Sequence, residues 1–166
     1  MRVLLATLFT AGAAAAADAP PGPSLEFWAG ASTVADTTNS RSGNLGITGG
    51  GSISLSRDSL VTVAAEGTAS AFFIPGPFFI GTIGPALQVH PLDRLWLTVG
   101  PEIVLLKFPA LEGSGADVIS KGGAFVRISL PLGNPTTLVL RCGIFGGLGS
   151  RPSTTVMLSL ALGGKS

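Results

Sequence analysis

Two arginines in the last third of the chain are the residues whose type and setting most need a chemical explanation. Arg127 and Arg141 each interrupt an otherwise apolar run, and both lie seven positions from Asn134. Between them stands Pro131-Leu132-Gly133-Asn134-Pro135, a cluster of turn-forming residues typical of a hairpin. We therefore expect two antiparallel strands that place the arginines opposite each other. Because like charges opposite each other destabilise a strand pair, the arginines need acidic partners.

Acidic residues elsewhere in the chain are the candidate partners. Side chains alternate between the two faces of a strand, and Glu66 and Glu102 fall on the less apolar face of their own strands. Glu26 and Lys121 have the same parity. Guanidinium–carboxylate pairs are strong and directional, so they can neutralise facing arginines. The interpretation that we favour is a structural plug, and the alternative is a gate or narrow ion path. The predicted charge cluster consists of Glu66, Glu102, Arg127 and Arg141.

Residue types that carry enzyme or metal chemistry give little support for a catalytic site. His90 is the only histidine, and no motif places a serine nucleophile beside it. A metal site would need a second histidine or a cysteine cluster. Cys142 is the only cysteine, and its parity places it on the apolar face, as a small hydrophobe. Gly49–Gly51 is followed by neither a helix nor a Lys-Ser/Thr pair, so phosphate binding is unsupported. We predict no catalytic residue, metal or cofactor; a lipid hydrolase is the least favoured class.

The composition points away from an ordinary soluble domain. Only 11% of the 166 residues are charged and 46% are hydrophobic, whereas a soluble domain has about 25% charged residues. The mean hydropathy is +0.56. A formal net charge of +1 with no basic run argues against a nucleic-acid partner.

The first residues have the pattern of a secretory signal peptide. Arg2 is followed by an uncharged, largely apolar stretch that ends in alanines, and Ala15-Ala16-Ala17 fits a cleavage site. The stretch is shorter than the roughly 20 residues that a membrane-spanning helix needs; an uncleaved anchor helix is the alternative. The predicted organisation is a signal peptide over 1–17, a proline-rich lead-in over 18–23 and a single domain over 24–166.

The rest of the chain has the period-2 alternation of β-strands, separated by clusters of turn residues. We predict an all-β chain with eight strands. Their approximate ranges are 25–35, 44–56, 60–73, 78–89, 95–108, 118–130, 136–146 and 154–162. Connections after the even-numbered strands are compact, and those after the odd-numbered strands are mostly longer or richer in Gly, Ser and Pro. Short turns at one end and longer loops at the other are typical of outer-membrane barrels.

The two faces of these strands favour lipid on one side and a narrow interior on the other. The polar face carries mostly Gly, Ser, Thr and Ala with about one charge per strand, whereas a solvated exterior would be roughly 25–35% charged. Such a face suits the lumen of a small barrel, which side chains fill. A closed barrel also leaves no strand edge unpaired in lipid. The predicted fold is an eight-stranded, antiparallel, up-and-down transmembrane β-barrel.

With this pattern the chain resembles the small eight-stranded outer-membrane β-barrel proteins of Gram-negative bacteria, the OmpA/OmpX-like group. The resemblance covers the whole mature chain and rests on its pattern. It implies aromatic girdles at the two membrane interfaces. One girdle would consist of Phe27, Trp28 and Trp96. The other would consist of Phe72, Phe73, Phe78, Phe79 and Phe108.

Two prolines and a glycine run are unusual inside strands. Pro85 and Pro101 lie at matching distances from the turn near Leu92, so they should face each other across a hairpin. Because proline cannot donate to the strand ladder, we expect paired bulges or a local bend there. For Gly49–Gly51 we expect a bulge or a close approach. Beyond the prolines, the inward parity belongs to Phe78, Ile80, Val104 and Leu106.

These observations predict a monomeric barrel in the bacterial outer membrane with a structural or surface-interaction role and a lumen plugged by side chains. Its partners would be membrane lipids and the outer-membrane assembly machinery, and it would not be an enzyme. The alternative is a narrow pore or a carrier of a hydrophobic ligand. A third possibility is a soluble, lipocalin-like periplasmic protein, which would turn its apolar face inward.

Overall fold

The computed structural model describes residues 23–36, 44–55, 60–73, 77–92, 95–108, 118–133, 136–146 and 154–165. The predicted signal peptide and its cleavage site lie outside these ranges. Among the described residues there is no helix with the length and hydropathy needed to cross a bilayer.

The described residues form eight strands, as the alternation predicts. In chain order they are β1 (Ser24–Asp36), β2 (Asn44–Ser54), β3 (Val61–Phe72), β4 (Phe78–Leu92), β5 (Leu95–Lys107), β6 (Val118–Pro131), β7 (Thr136–Gly146) and β8 (Thr154–Lys165). The predicted limits are correct to within about two residues, except that β4 and β8 each continue three residues farther. Long connections follow β1, β5 and β7 at one end of the barrel, which we call the loop end. The opposite end is the turn end.

Each strand pairs antiparallel with its sequence neighbours, and β1 pairs with β8, so the sheet closes into a barrel. A path that starts at Val61 and steps from partner to partner around the ring returns to β3 at Ala71, ten residues farther along. Strand number and stagger together set the tilt and the width of a barrel. Eight strands leave an interior that side chains can fill. The predicted fold is therefore confirmed.

The barrel is apolar outside and largely polar inside. Leucine, isoleucine, valine and phenylalanine side chains on all eight strands face outward; Phe27 is 61% exposed and Ile83 60%. The inward positions are occupied mainly by serine, threonine and charged residues, most of them buried. Exposed apolar area on this scale exceeds what monomeric soluble proteins carry. The soluble alternative requires the apolar face inside, which is the reverse of what the structure has.

Pro85 and Pro101 face each other across β4 and β5, but the expected paired bulges are absent from this hairpin segment. Backbone pairing is interrupted there, and it resumes in the same register on both sides, at Ile83↔Ile103 and Leu87↔Val99. Both prolines point outward. Gly84, one residue before Pro85, lets the strands approach closely, because a Cβ at Gly84 would lie 2.0 Å from the carbonyl oxygen of Pro101. The register shift of this hairpin lies instead between Val89 and Leu92.

The glycine run of β2 forms a close approach rather than a bulge. Its pairing with β1 and β3 continues in register through Gly49, Gly50 and Gly51. The ring of Trp28 lies directly on Gly50, where a Cβ would be 2.5 Å from the indole carbons. Glycine is required at this position because the indole occupies the space of any larger side chain.

The predicted aromatic girdles are wrong for four residues. Trp28, Phe72 and Phe78 point into the lumen and are 4%, 1% and 6% exposed. Phe108 packs against the apolar side chains inside the barrel. Their parity is that of the polar face, so strict alternation overrides the general preference of aromatic residues for the membrane interface. Phe27, Phe73 and Phe79 have the opposite parity and are exposed on the outer surface.

Candidate functional site

The two arginines of the β6–β7 hairpin are direct cross-strand partners inside the barrel. Arg127 and Arg141 are paired in the ladder, and their side chains are 0% and 1% exposed. The hairpin turn brings them together as the sequence pattern predicts. Its described part is closed by a hydrogen bond from the Leu132 amide to the Thr136 carbonyl at 2.9 Å. Two guanidinium groups thus occupy one level of the lumen, out of contact with bulk solvent.

Carboxylates from three other strands surround the arginines. Glu66 lies between them: its Oε1 accepts a hydrogen bond of 2.8 Å from Nε of Arg141, and its Oε2 is 2.9 Å from Nε of Arg127 without hydrogen-bond alignment. Arg141 also donates through Nη2 to Oε2 of Glu102. Arg127 donates through Nη1 to Oε2 of Glu26 at 2.5 Å. The structure therefore brings all four predicted cluster residues together and adds Glu26.

These five residues form an alternating chain of charges, which we call the ion-pair network. Its order is Glu26, Arg127, Glu66, Arg141 and Glu102. Each negative charge neighbours only positive charges, and the central carboxylate bridges both arginines. Parity alone suggested Lys121 as a further member. Its side chain instead passes near Gly146, and within the described residues it forms no ion pair.

Each arginine also stacks on an aromatic ring. The guanidinium carbon of Arg127 is 4.5 Å from the ring centroid of Trp28, and that of Arg141 is 4.4 Å from the centroid of Phe125. Desolvated contacts of this kind are worth about 2 kcal/mol. They also hold the guanidinium planes in place against the carboxylates.

Glycines on the neighbouring strands make room for these rings. Trp28 is paired with Gly50 on one side and Gly163 on the other. Phe125 is likewise paired with Gly100 and Gly143. Large inward side chains thus alternate with glycine around the barrel, which is how a narrow lumen accommodates them. This spacing is present in the sequence, but it can be interpreted only after the cross-strand register is known.

Hydroxyl groups complete the polar surroundings of the network. Nη2 of Arg127 donates to Ser52 at 3.3 Å and to Thr98 at 3.2 Å. Nη2 of Arg141 donates to Thr82 at 3.3 Å, and Thr82 is 2.8 Å from Thr68. Burying charges is tolerated only where pairing and hydrogen bonding replace water. The network meets that condition for most of its polar atoms.

The loop end of the lumen has a different filling. Its apolar section contains Val34, Phe72, Phe78, Ile80, Val104, Leu106, Phe145 and Met157, with Phe108 packed against it. Phe72 and Phe78 stack with ring centroids 4.8 Å apart. All eight core members are 0–6% exposed. The expected inward positions Phe78, Ile80, Val104 and Leu106 are all part of this section.

Together, the ion-pair network and the apolar section fill two successive levels of the lumen. The five network residues and the eight core members of the apolar section are all 0–6% exposed. The described residues contain no group of three or more His, Cys, Asp or Glu side chains that could hold a metal ion. Cys142 faces outward, half-buried, on the apolar side that its parity predicts.

Comparison with known proteins identifies relatives by fold alone. Neither a protein-family model nor a curated protein sequence matches the chain. Ail of Yersinia pestis, the attachment invasion locus protein, superposes with a TM-score of 0.59 at 9% identity over 89% of this chain and 100% of that one. Neisserial surface protein A gives 0.57 at 13% identity over 89% and 99%. The N-terminal barrel of Pseudomonas aeruginosa OprF gives 0.53 at 11% identity over 89% and 100%.

Fold and surface define the class of protein. The barrel is that of small eight-stranded outer-membrane proteins, and its outer surface is the apolar one that lipid requires. At these identities the likeness establishes the architecture, so the role of the chain has to be argued from its own lumen and surface.

Proposed function

We propose that this protein is a closed, non-conducting barrel of the bacterial outer membrane with a structural or surface-interaction role. The observation that carries the proposal is the double filling of the lumen. At one level the ion-pair network holds Arg127 and Arg141 at 0–1% exposure, and toward the loop end the apolar section is equally buried. A barrel that conducts would need a continuous wet path past both levels.

The two fillings exclude ions for different reasons. In the ion-pair network a passing ion would have to replace a partner of Glu66 or of an arginine, which leaves a buried charge unpaired. In the apolar section an ion would lose its hydration with no polar group to replace it. The two barriers lie in series, so the opening of one alone does not produce a pore.

The remaining parts of the proposal concern partners and location. The outward leucines, isoleucines and valines support contact with membrane lipids. We also propose export by a signal peptide cleaved after Ala17, insertion by the outer-membrane assembly machinery and a monomeric state. The protein has no enzymatic role in this proposal, and its connections at the loop end provide its contact with the surroundings.

Conductance measurements test the closed lumen. We expect the full chain, refolded in detergent and added to planar lipid bilayers, to give no steady unitary conductance under conditions in which a large porin conducts. Heat-modifiable gel mobility would establish that the added protein is folded. Reproducible channels from the folded protein would overturn the proposal and favour the narrow-pore alternative.

A complementation experiment separates a structural role from surface interaction. In the source bacterium, deletion of the gene should weaken either the resistance of the membrane to detergent or a surface property such as adhesion. The chain is then restored either intact or with residues 109–117 replaced by a short Gly-Ser link. Restoration by both forms would support the structural role, and restoration by the intact form alone would support surface interaction. A deletion with no effect on either property would contradict both roles.

A further inference from the structure

Several buried polar side-chain atoms in the lumen have no hydrogen-bond partner within the described residues, and four of them belong to neighbouring residues. The four are Oε1 of Glu102, Nη1 of Arg141, Oγ of Ser159 and Oγ of Ser32. Their residues are all at least 96% buried. Buried polar groups are nearly always satisfied in folded proteins, either by the protein or by ordered water. Four such atoms on neighbouring residues therefore form a candidate site for ordered water.

The residues that carry these atoms are neighbours in the lumen. Arg141 is the cross-strand partner of Ser159, and Ser159 is the partner of Ser32, so the three form one row across β7, β8 and β1. Directly paired residues in an antiparallel sheet have Cα atoms about 4.5–5.5 Å apart. Glu102 reaches the same row from across the barrel, through its ion pair with Arg141.

Gly143 lies at the head of this row. It is the next inward position after Arg141 on β7, and a Cβ there would lie 3.0 Å from Oε1 of Glu102 and 3.2 Å from Nη1 of Arg141. An unpartnered acceptor and an unpartnered donor thus flank the space beside a residue without a side chain. Any side chain at position 143 would crowd both atoms.

We propose that this space binds a small cluster of ordered water molecules, which extends the ion-pair network along Ser159 and Ser32 to β1. The chemistry of the four atoms selects the ligand. The guanidinium nitrogen is a donor and repels a cation, and the carboxylate oxygen is an acceptor and repels an anion. Only a neutral ligand that both donates and accepts can satisfy the two together, and water is the one that fits between neighbouring side chains.

This water site has a structural consequence. The strands β1 and β8 close the barrel, and none of the ion pairs among the described residues links β8 to the network. Water bound along the row joins Arg141 of β7 to Ser159 of β8 and Ser32 of β1. The inference does not depend on the proposed function, because a conducting barrel could hold the same site.

The substitution Ser159→Ala tests the site through the sign of its effect. If water satisfies the hydroxyl, its removal loses a buried hydrogen bond, and the unfolding equilibrium constant should rise roughly fivefold. If the hydroxyl is dry, the same change removes an unsatisfied polar group, and the constant should stay the same or fall. The measurement is urea unfolding of the full chain in lipid vesicles, and an unfolding constant that stays the same or falls would overturn the proposal.

Ser70→Ala is the matched control for this substitution. Ser70 is also a buried, inward-facing serine, but its hydroxyl donates to Thr48 at 2.8 Å. Its removal should raise the unfolding constant whether or not water is bound elsewhere. A rise in the unfolding constant for both Ser159→Ala and Ser70→Ala supports the water site. A rise for Ser70→Ala alone contradicts it.

NMR of the intact protein tests for the bound water without any substitution. In the intact protein in detergent micelles, the amide protons of Gly143 and Ser159 should give NMR cross-peaks to long-lived water. The Gly143→Ala protein should lose the cross-peak at position 143. Absence of water cross-peaks from both amides of the intact protein would overturn the proposal.

Discussion

The ion-pair network and the apolar section occupy neighbouring levels of one lumen and are equally inaccessible, yet different forces hold them. In the network each side chain depends on particular partners, at distances of about 2.5–2.9 Å for the contacts of Arg127 with Glu26 and Glu66. In the apolar section the contacts are non-directional, and stabilisation follows from the area removed from water. Equal burial therefore does not imply equal tolerance of substitution.

The contrast indicates which of the two levels is more sensitive to substitution. A hydrophobic level accepts similar side chains with small losses. A charged level does not, since removal of one partner leaves an uncompensated charge in a medium of low dielectric. A buried ion-pair network is weak support for high stability, but it is a strong constraint on which strands can be neighbours.

The largest expected effect comes from the residue that bridges both arginines. Glu66→Gln keeps the side-chain shape but leaves Arg127 and Arg141 facing each other without their shared carboxylate. We expect a loss of about 3–5 kcal/mol in the free energy of unfolding. Urea titration followed by folded and unfolded gel bands measures it.

Glu26→Gln is the matched control, because among the described ion pairs Glu26 takes part only in the one with Arg127. Its effect should be clearly smaller than that of Glu66→Gln. Equal losses in the two variants would contradict the central role of Glu66.

The apolar section provides the second prediction. Leu106→Ala removes a side chain that is fully buried in this section, and the resulting cavity should cost about 2–4 kcal/mol. Leu105→Ala at the next position is the control, since Leu105 faces outward and is 45% exposed. If Leu105→Ala costs as much as Leu106→Ala, the loop-end section is not a packed core.

A double-mutant cycle of Glu26→Ala and Arg127→Ala measures the directional character of the network. The carboxylate and guanidinium are 2.5 Å apart and buried, so we expect a coupling of about 1–3 kcal/mol. The same cycle for Val104→Ala and Leu106→Ala in the apolar section should give a smaller coupling. A larger coupling between Val104 and Leu106 than between Glu26 and Arg127 would contradict the distinction between the two levels.

The smallest effect concerns the contact of Arg127 with Trp28. Trp28→Leu keeps an apolar side chain but removes the aromatic face, and we expect a loss of about 1–2 kcal/mol. Phe27→Leu, on the lipid face of the same strand, should be nearly neutral. Measurement of both by urea unfolding tests whether the inward ring of β1 stabilises the barrel more than the outward ring.

Much of the architecture follows from alternation in the sequence. The hairpin around Asn134, with Arg127 opposite Arg141, can be predicted from the turn residues and the alternation alone. The same alternation predicts that Glu66 and Glu102 point inward. Which carboxylate reaches which arginine was not predictable, since it depends on the stagger of ten residues, and that quantity is a property of the closed ring rather than of any strand.

The errors have a common physical origin. Residue type predicts girdle positions for Trp28, Phe72, Phe78 and Phe108, whereas their parity places them inside. Of the paired bulges or local bend expected at Pro85 and Pro101, the bulges are not required, since both prolines point outward and Gly84 and Gly100 permit close approach of the strands. In both cases a preference of the residue type yields to the geometry imposed by neighbouring strands.

The pairing of Glu26 with Lys165 at the junction of β1 and β8 has a consequence for the order of the chain itself. Around the barrel the strands form a cycle with no first member. The two ends of the described chain meet at the turn end, so a short link between them would leave every strand with its present neighbours. A circularly permuted protein that begins at β3 and ends at β2 would therefore encode the same barrel, with the same residues meeting in its lumen.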